Sequence, residues 1–93
     1  MSDQIWKFKL QTTGYISNGV VSSIAIPIGA KVIAAGVKDD WACLWALVDI
    51  GNDVGLRRFV IYGTGHDIEH ENIAHVDSFQ SGSLVFHVFE VLP

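Results

Sequence analysis

A chain of 93 residues with ten carboxylates, six lysines and arginines and a formal net charge of −4 has the length of one domain and room for one core. Only 17% of its residues are charged against 49% apolar, so it has less polar cover than a small monomer needs. A nucleic-acid phosphate track needs Lys and Arg clustered on one face, and the acidic balance argues against one; nucleic acid is not an expected partner.

In chain order the sequence reads as short strands separated by turn residues. Ile5–Leu10 sets Trp6, Phe8 and Leu10 against Lys7 and Lys9, the pattern of a strand with one wet face. Thr12-Thr13-Gly14 follows, and then Asn18-Gly19, the dipeptide best suited to the positive φ angles of a tight turn, which predicts a hairpin. Val20–Ile26 resumes the strand pattern and stops at Pro27, which cannot donate to a ladder. Lys31–Val37 comes next, and Lys38-Asp39-Asp40 connects it in hairpin fashion to Trp41–Asp49.

Trp41–Val48 is eight apolar residues in a row, too few for a membrane span. Alternation puts Trp41, Cys43, Trp45 and Leu47 on one face and Ala42, Leu44, Ala46 and Val48 on the other, so neither suits water and the strand is expected to be central. Cys43, the single cysteine, has no intramolecular disulfide partner and behaves there as a small hydrophobe.

After the 51–55 loop, Leu56–Tyr62 carries Arg58, Val60 and Tyr62 on one side and Arg57, Phe59 and Ile61 on the other. The polar segment 63–72 is read as an ordered loop with at most one helical turn, and Ile73–Gln80 and Leu84–Leu92, joined by Ser81-Gly82-Ser83, as a closing hairpin. Seven strands without an amphipathic helix predict one all-β domain over residues 1–93, a small antiparallel sandwich or barrel with Trp6, Phe8, Trp45, Phe59, Phe79, Phe86 and Phe89 in its core. Strands 41–48 and 84–88 are apolar on both faces with no helix to cover them, so a homo-oligomer is expected. No signal peptide or membrane helix is visible, and the expected setting is a reducing cytoplasm without membrane association.

Candidate chemistry lies in three places. His66-Asp67-Ile68-Glu69-His70 matches the letters of a zinc motif, but that motif needs a helix and a cleft that this chain does not offer, so no metal is expected. Tyr62-Gly63-Thr64-Gly65-His66 ends a strand in a glycine turn whose amides, with the Thr64 hydroxyl and the His66 imidazole, can face an anion. It lacks the third glycine and following helix of a dinucleotide fingerprint, so no cofactor is expected. Arg58 shares a face with Tyr62, and a guanidinium in an apolar strand must pair with Asp49 or Glu90 or bind a ligand. His87 interrupts the last apolar strand, either as a core histidine or as a pocket residue. No nucleophile, base and acid stand at a recognisable spacing, so the chain is not expected to be an enzyme. The candidate ligand-binding set is Arg58, Tyr62, Thr64, His66 and His87.

The ordered motifs Ile5-Trp6-Lys7, residues 27–32 (PIGAKV), residues 43–49 (CLWALVD), Arg58-Phe59, residues 62–66 (YGTGH) and residues 85–90 (VFHVFE) resemble a family of short proteins encoded mainly by tailed bacteriophages and prophages, for which no biochemical activity is established. The resemblance covers nearly the whole chain and implies a protein made in the cytoplasm of an infected bacterium; the connection from Thr12 to Ser22 is longer here than in the family pattern. Two expectations follow. One is a non-enzymatic binder that sequesters a small anionic, nucleotide-type signal of bacterial anti-phage defence. The other is an interaction module or inhibitor that docks on a host or phage protein, a host defence component among them, through an apolar patch or strand edge.

Overall fold

The computed structural model describes residues 3–10 and 16–93, and among them every regular element is a strand. These are β1 (Asp3–Lys9), β2 (Val21–Pro27), β3 (Lys31–Lys38), β4 (Trp41–Asp49), β5 (Val54–Gly63), β6 (Ile73–Ser81) and β7 (Leu84–Val91). All pair antiparallel, in a three-stranded sheet of order β1-β4-β3 and a four-stranded sheet of order β2-β5-β7-β6. The all-β expectation is met, with strand ends within two residues of those read from alternation and turn chemistry.

β4 is central in its sheet, and its Ala42, Leu44, Ala46 and Val48 face is fully buried. That face meets Ile24 and Ile26 of β2, Phe59 and Ile61 of β5, and Phe86 and Val88 of β7, so the core is the filling between two facing sheets. Each large aliphatic or aromatic side chain buried there contributes roughly 1.5–3 kcal/mol. The sheets are tied along one side, where the Ala35 amide of β3 donates to Asp77 Oδ2 of β6 at 2.8 Å. Asp77 can reach because β6 is bulged: His75 opposes Phe89 and Asp77 opposes Val88, leaving Val76 as the extra residue, packed against the core. On the other side β1 and β2 end their sheets.

The turns explain the order. Asp39 and Asp40 both have positive φ, 51° and 65°, which makes the tight β3–β4 turn whose twist matches that of its strands. Asn18-Gly19 does not make the expected hairpin, because β1 and β2 belong to different sheets. Its backbone is held by β5 instead: Gly19, at φ 76°, donates its amide to the Ile61 carbonyl at 3.0 Å, and Asn18 Oδ1 accepts from the Gly63 amide. The Thr12-Thr13-Gly14 turn lies outside the described residues.

Three expected core aromatics are placed elsewhere. Trp6 is 38% exposed on the end strand β1, Trp45 is half-buried on the outer face of β4, and Phe89 is half-buried on the outer face of β7. Phe59 and Phe86 are core residues, with Phe8 and Phe79 packed against them. Leu44→Ala is expected to lower stability by about 2–5 kcal/mol and Leu56→Ala, at a position 74% exposed, by less than about 0.5 kcal/mol, as read from urea unfolding of both variants.

Candidate functional site

β5 sorts its residues by face. Arg57, Phe59 and Ile61 point toward the core, and Arg58, Val60 and Tyr62 point away from it, opposite Val91, Phe89 and His87 of β7. The sequence reading asked which anion meets Arg58; the structure gives that chemistry to Arg57. Arg57 Nε and Nη2 donate to Glu90 Oε2 and Oε1 at 2.7 and 2.8 Å, and Nη1 donates to the Ala30 carbonyl. The fork-shaped contact with Glu90 raises the guanidinium pKa above its ordinary value, against the lowering effect of partial burial. Arg58 is exposed and makes no ion pair among the described residues, so burial does not oblige it to hold a ligand. It stands four positions from Tyr62 on an extended strand, about 13–14 Å away, and so outside any small pocket built around that ring.

Tyr62 is buried at 3% exposure beneath the β5–β6 connection. Its phenol donates to His70 Nδ1 at 2.5 Å and accepts from the Glu69 and His70 amides at 3.2 and 3.3 Å, and its ring meets Phe89 edge-on at 6.3 Å. The connection is irregular throughout, so the helix that a zinc reading of His66–His70 requires is missing, and the described residues hold no group of three metal-ligating side chains. Tyr62 therefore anchors a loop and offers no free ring to a ligand.

Thr64 and His87 do come together. Thr64 Oγ1 lies 2.7 Å from His87 Nε2, and Ser78 Oγ lies 2.7 Å from His87 Nδ1 and 2.9 Å from His75 Nε2. The Thr64 hydroxyl also lies 3.3 Å from the Val85 carbonyl, so His75, Ser78, His87 and Thr64 form one continuous hydrogen-bonded row that ends on the main chain, with donor and acceptor roles set by the imidazole tautomers. Ser78 thus has an imidazole partner, but the far nitrogen of that ring meets a hydroxyl and not the carboxylate that would stabilise an imidazolium. Sequence alternation had no place for Ser78 here, because the Val76 bulge is what turns it to the outer face opposite His87.

His66 is separate from this chain. With Thr64, Asn18 and residues 83–86 it lines an open cleft of about 380 Å³. Its floor is Gly63, where a side chain would stand 3.1 Å from His66 Cδ2 and 3.2 Å from Asn18 Oδ1. The five sequence candidates thus divide into an exposed cation, a buried anchor, a hydroxyl–imidazole pair and a cleft histidine.

A second surface has no counterpart among those candidates. On the outer face of the three-stranded sheet Trp41, Cys43, Trp45 and Leu47 form the central row. Cys43 is fully buried and Trp41 and Trp45 are half-buried, while Leu47 and the neighbouring Ile5 are exposed. Trp45 lies against Gly36 of β3, where a Cβ would stand 3.7 Å from its Cζ3.

The model of a family described as a domain of unknown function (DUF7352) matches residues 1–93. No curated protein and no solved structure matches the chain.

Arg57→Ala strands a mostly buried carboxylate and is expected to cost about 1–3 kcal/mol, whereas Arg58→Ala is expected to stay within about 0.5 kcal/mol of the parent. Thermal melts of the two variants side by side check the assignment, and equal losses would contradict it.

Proposed function

Because the chain belongs to the DUF7352 family, whose description assigns no function, its role has to be argued from its own surfaces, and we propose that it is a non-enzymatic binding module acting through the outer face of the three-stranded sheet. The observation that carries this is the central row of β4, where two tryptophans and a leucine stay partly exposed beside Ile5 on a face that no element among the described residues covers. Exposed apolar surface continuous over neighbouring strands is the usual mark of a contact surface. Such a module is the docking alternative of the sequence reading. The resemblance to phage and prophage proteins supports a setting in the cytoplasm of an infected bacterium, with a host or phage component as partner.

Sequestration of a small anionic ligand is the second reading, and one observation favours it: Thr64 and His66 share the cleft with Asn18, so polar donors do converge there. It is the weaker of the two because neither arginine lines that cleft.

Affinity capture from phage-infected bacteria distinguishes the readings when tagged parent, Ile5→Glu/Leu47→Glu and Thr64→Ala/His66→Ala proteins are compared and retained proteins, nucleic acids and small molecules are all identified. All four substitutions sit at exposed positions, but two carboxylates at the directly paired positions 5 and 47 repel each other, so the thermal melt of each protein is recorded and capture is compared at a temperature where all three are folded. Loss of the retained material in the sheet-face variant alone is the expected result. Loss in the cleft variant alone assigns the function to the cleft, and identical recovery by all three overturns both.

A further inference from the structure

We infer that the outer face of the three-stranded sheet is a site for single-stranded nucleic acid, with bases stacked on Trp41 and Trp45 and phosphates neutralised by Lys7, Lys9, Lys31 and Lys38. The inference rests on the reading of that face as the recognition surface and names its ligand class.

The pairing registers carry it. On β1, Lys7 stands beside Trp45 and Lys9 beside Cys43; on β3, Lys31 stands beside Leu47 and Lys38 beside Trp41. Directly paired residues of antiparallel strands project to the same side, so all four side chains rise from the face that carries the two indoles. These are the only lysines of the chain, and all four are exposed. A chain of net charge −4 therefore gathers every lysine it has around two of its three tryptophans. Lys9 Nζ already sits 4.4 Å from the centre of the Trp41 ring.

Alternation along β3 hides this arrangement. Lys31 and Lys38 are seven positions apart and would fall on opposite faces of a regular strand. A register shift between Val32 and Ala34 brings them to one face, with Ile33 as the extra residue. The expectation that nucleic acid is no partner assumed bases without a common face, and the bulge supplies that face.

The composition of the face selects the ligand. Sequence-tolerant single-strand binding combines a basic surface that follows the backbone with aromatic rings that take the bases. Here the two tryptophans stand in the middle row, four positions or about 13–14 Å apart along the β4 backbone, and the strands that carry the lysines run roughly 4.8 Å away on either side. An acidic peptide would use the lysines and leave the indoles without a planar partner. A duplex keeps its bases stacked inside, and a flat face about 10 Å wide has no element to enter a groove. Acidic residues end the face at both extremes, Asp3 opposite Asp49 at one end and Asp39-Asp40 in the turn at the other. The site is accordingly short, at the low end of the roughly 4–16 nucleotides that small β-barrel single-strand binders cover.

The test is fluorescence anisotropy of labelled dT12 and rU12 with the intact chain, alongside co-sedimentation with phosphatidylglycerol vesicles. The expected result is binding of one or both oligomers in the micromolar range, weakening about 50-fold between 50 and 200 mM salt if four phosphates are neutralised. Lys7→Glu/Lys31→Glu, at exposed positions, is expected to abolish binding with an unchanged thermal melt. Trp41→Ala is expected to weaken it about five- to 150-fold. Preference for DNA or for RNA identifies the sugar and supports the inference either way. No anisotropy change at about 100 μM protein, binding that survives the lysine reversals, or association with vesicles in place of the oligomers overturns it. Loss of captured cellular material from Ile5→Glu/Leu47→Glu without oligomer binding would leave the face as a contact surface and refute only its nucleic-acid ligand.

Discussion

β4 is apolar on both sides, no helix among the described residues lies over either of them, and the rest of the structure answers to that constraint. One side is satisfied by the second sheet, which brings Phe59, Ile61, Phe86 and Val88 against Leu44 and Val48. Among the described residues the other side is covered by its own row and its sheet neighbours. Cys43 reaches zero exposure there, its thiol directed to the Trp41 carbonyl at 3.4 Å, with the tryptophans before and after it in the row and Gly36 and Lys9 as its paired residues. Covering a small residue with large rings leaves the rings themselves half in water. The exposed indoles are thus a consequence of how the strand is buried, and they are also what makes the face useful for recognition.

The strand pattern was legible because each strand carries its own evidence: period-two alternation at Ile5–Leu10, uninterrupted apolarity at Trp41–Val48, and turn residues at Asp39-Asp40 and Ser81-Gly82-Ser83. What failed was longer in range. Asn18-Gly19 does form a turn, but a local signal states only that the chain bends, not which strand receives it, and here β5 holds it in place of β1. Trp45 was read as core from size and apolarity; which face of a strand becomes the inside depends on the sheet opposite, and for β4 the smaller residues went in, whereas Trp6 keeps the inner face of β1 opposite Ala46 and stays 38% exposed on that end strand.

The candidate site was legible in parts for the same reason. Arg57 and Arg58 were correctly assigned to opposite faces of β5, yet Val60 and Tyr62 are buried as fully as Phe59 and Ile61, so the difference between the two rows did not mark which arginine would need an anion. Glu90, one of the two acids expected to pair with Arg58, pairs with the neighbouring Arg57 instead. His87 beside Thr64 could be anticipated as a polar interruption near a glycine turn. Ser78 and the Lys31 to Lys38 alignment could not, because each depends on a β-bulge, at Val76 and at Ile33, and one inserted residue exchanges the faces of everything beyond it.

Both bulges lie in β3 and β6, the strands along which the two sheets meet, and this links the fold to its surfaces. The Val76 bulge presents Asp77 to the Ala35 amide, next to the stretch of β3 that the Ile33 bulge has already shifted. Without the second irregularity Lys31 and Lys38 would fall on opposite faces of the sheet, and only one of them would stand on the face that carries Trp41 and Trp45. The shift therefore keeps Lys38 beside Trp41 while Lys31 stays beside Leu47. The basic aromatic face thus depends on one inserted residue in β3. A chain whose remaining charge is acidic then offers a polyanion one attractive surface among repulsive ones, which orients the encounter while keeping it weak and readily reversed by salt.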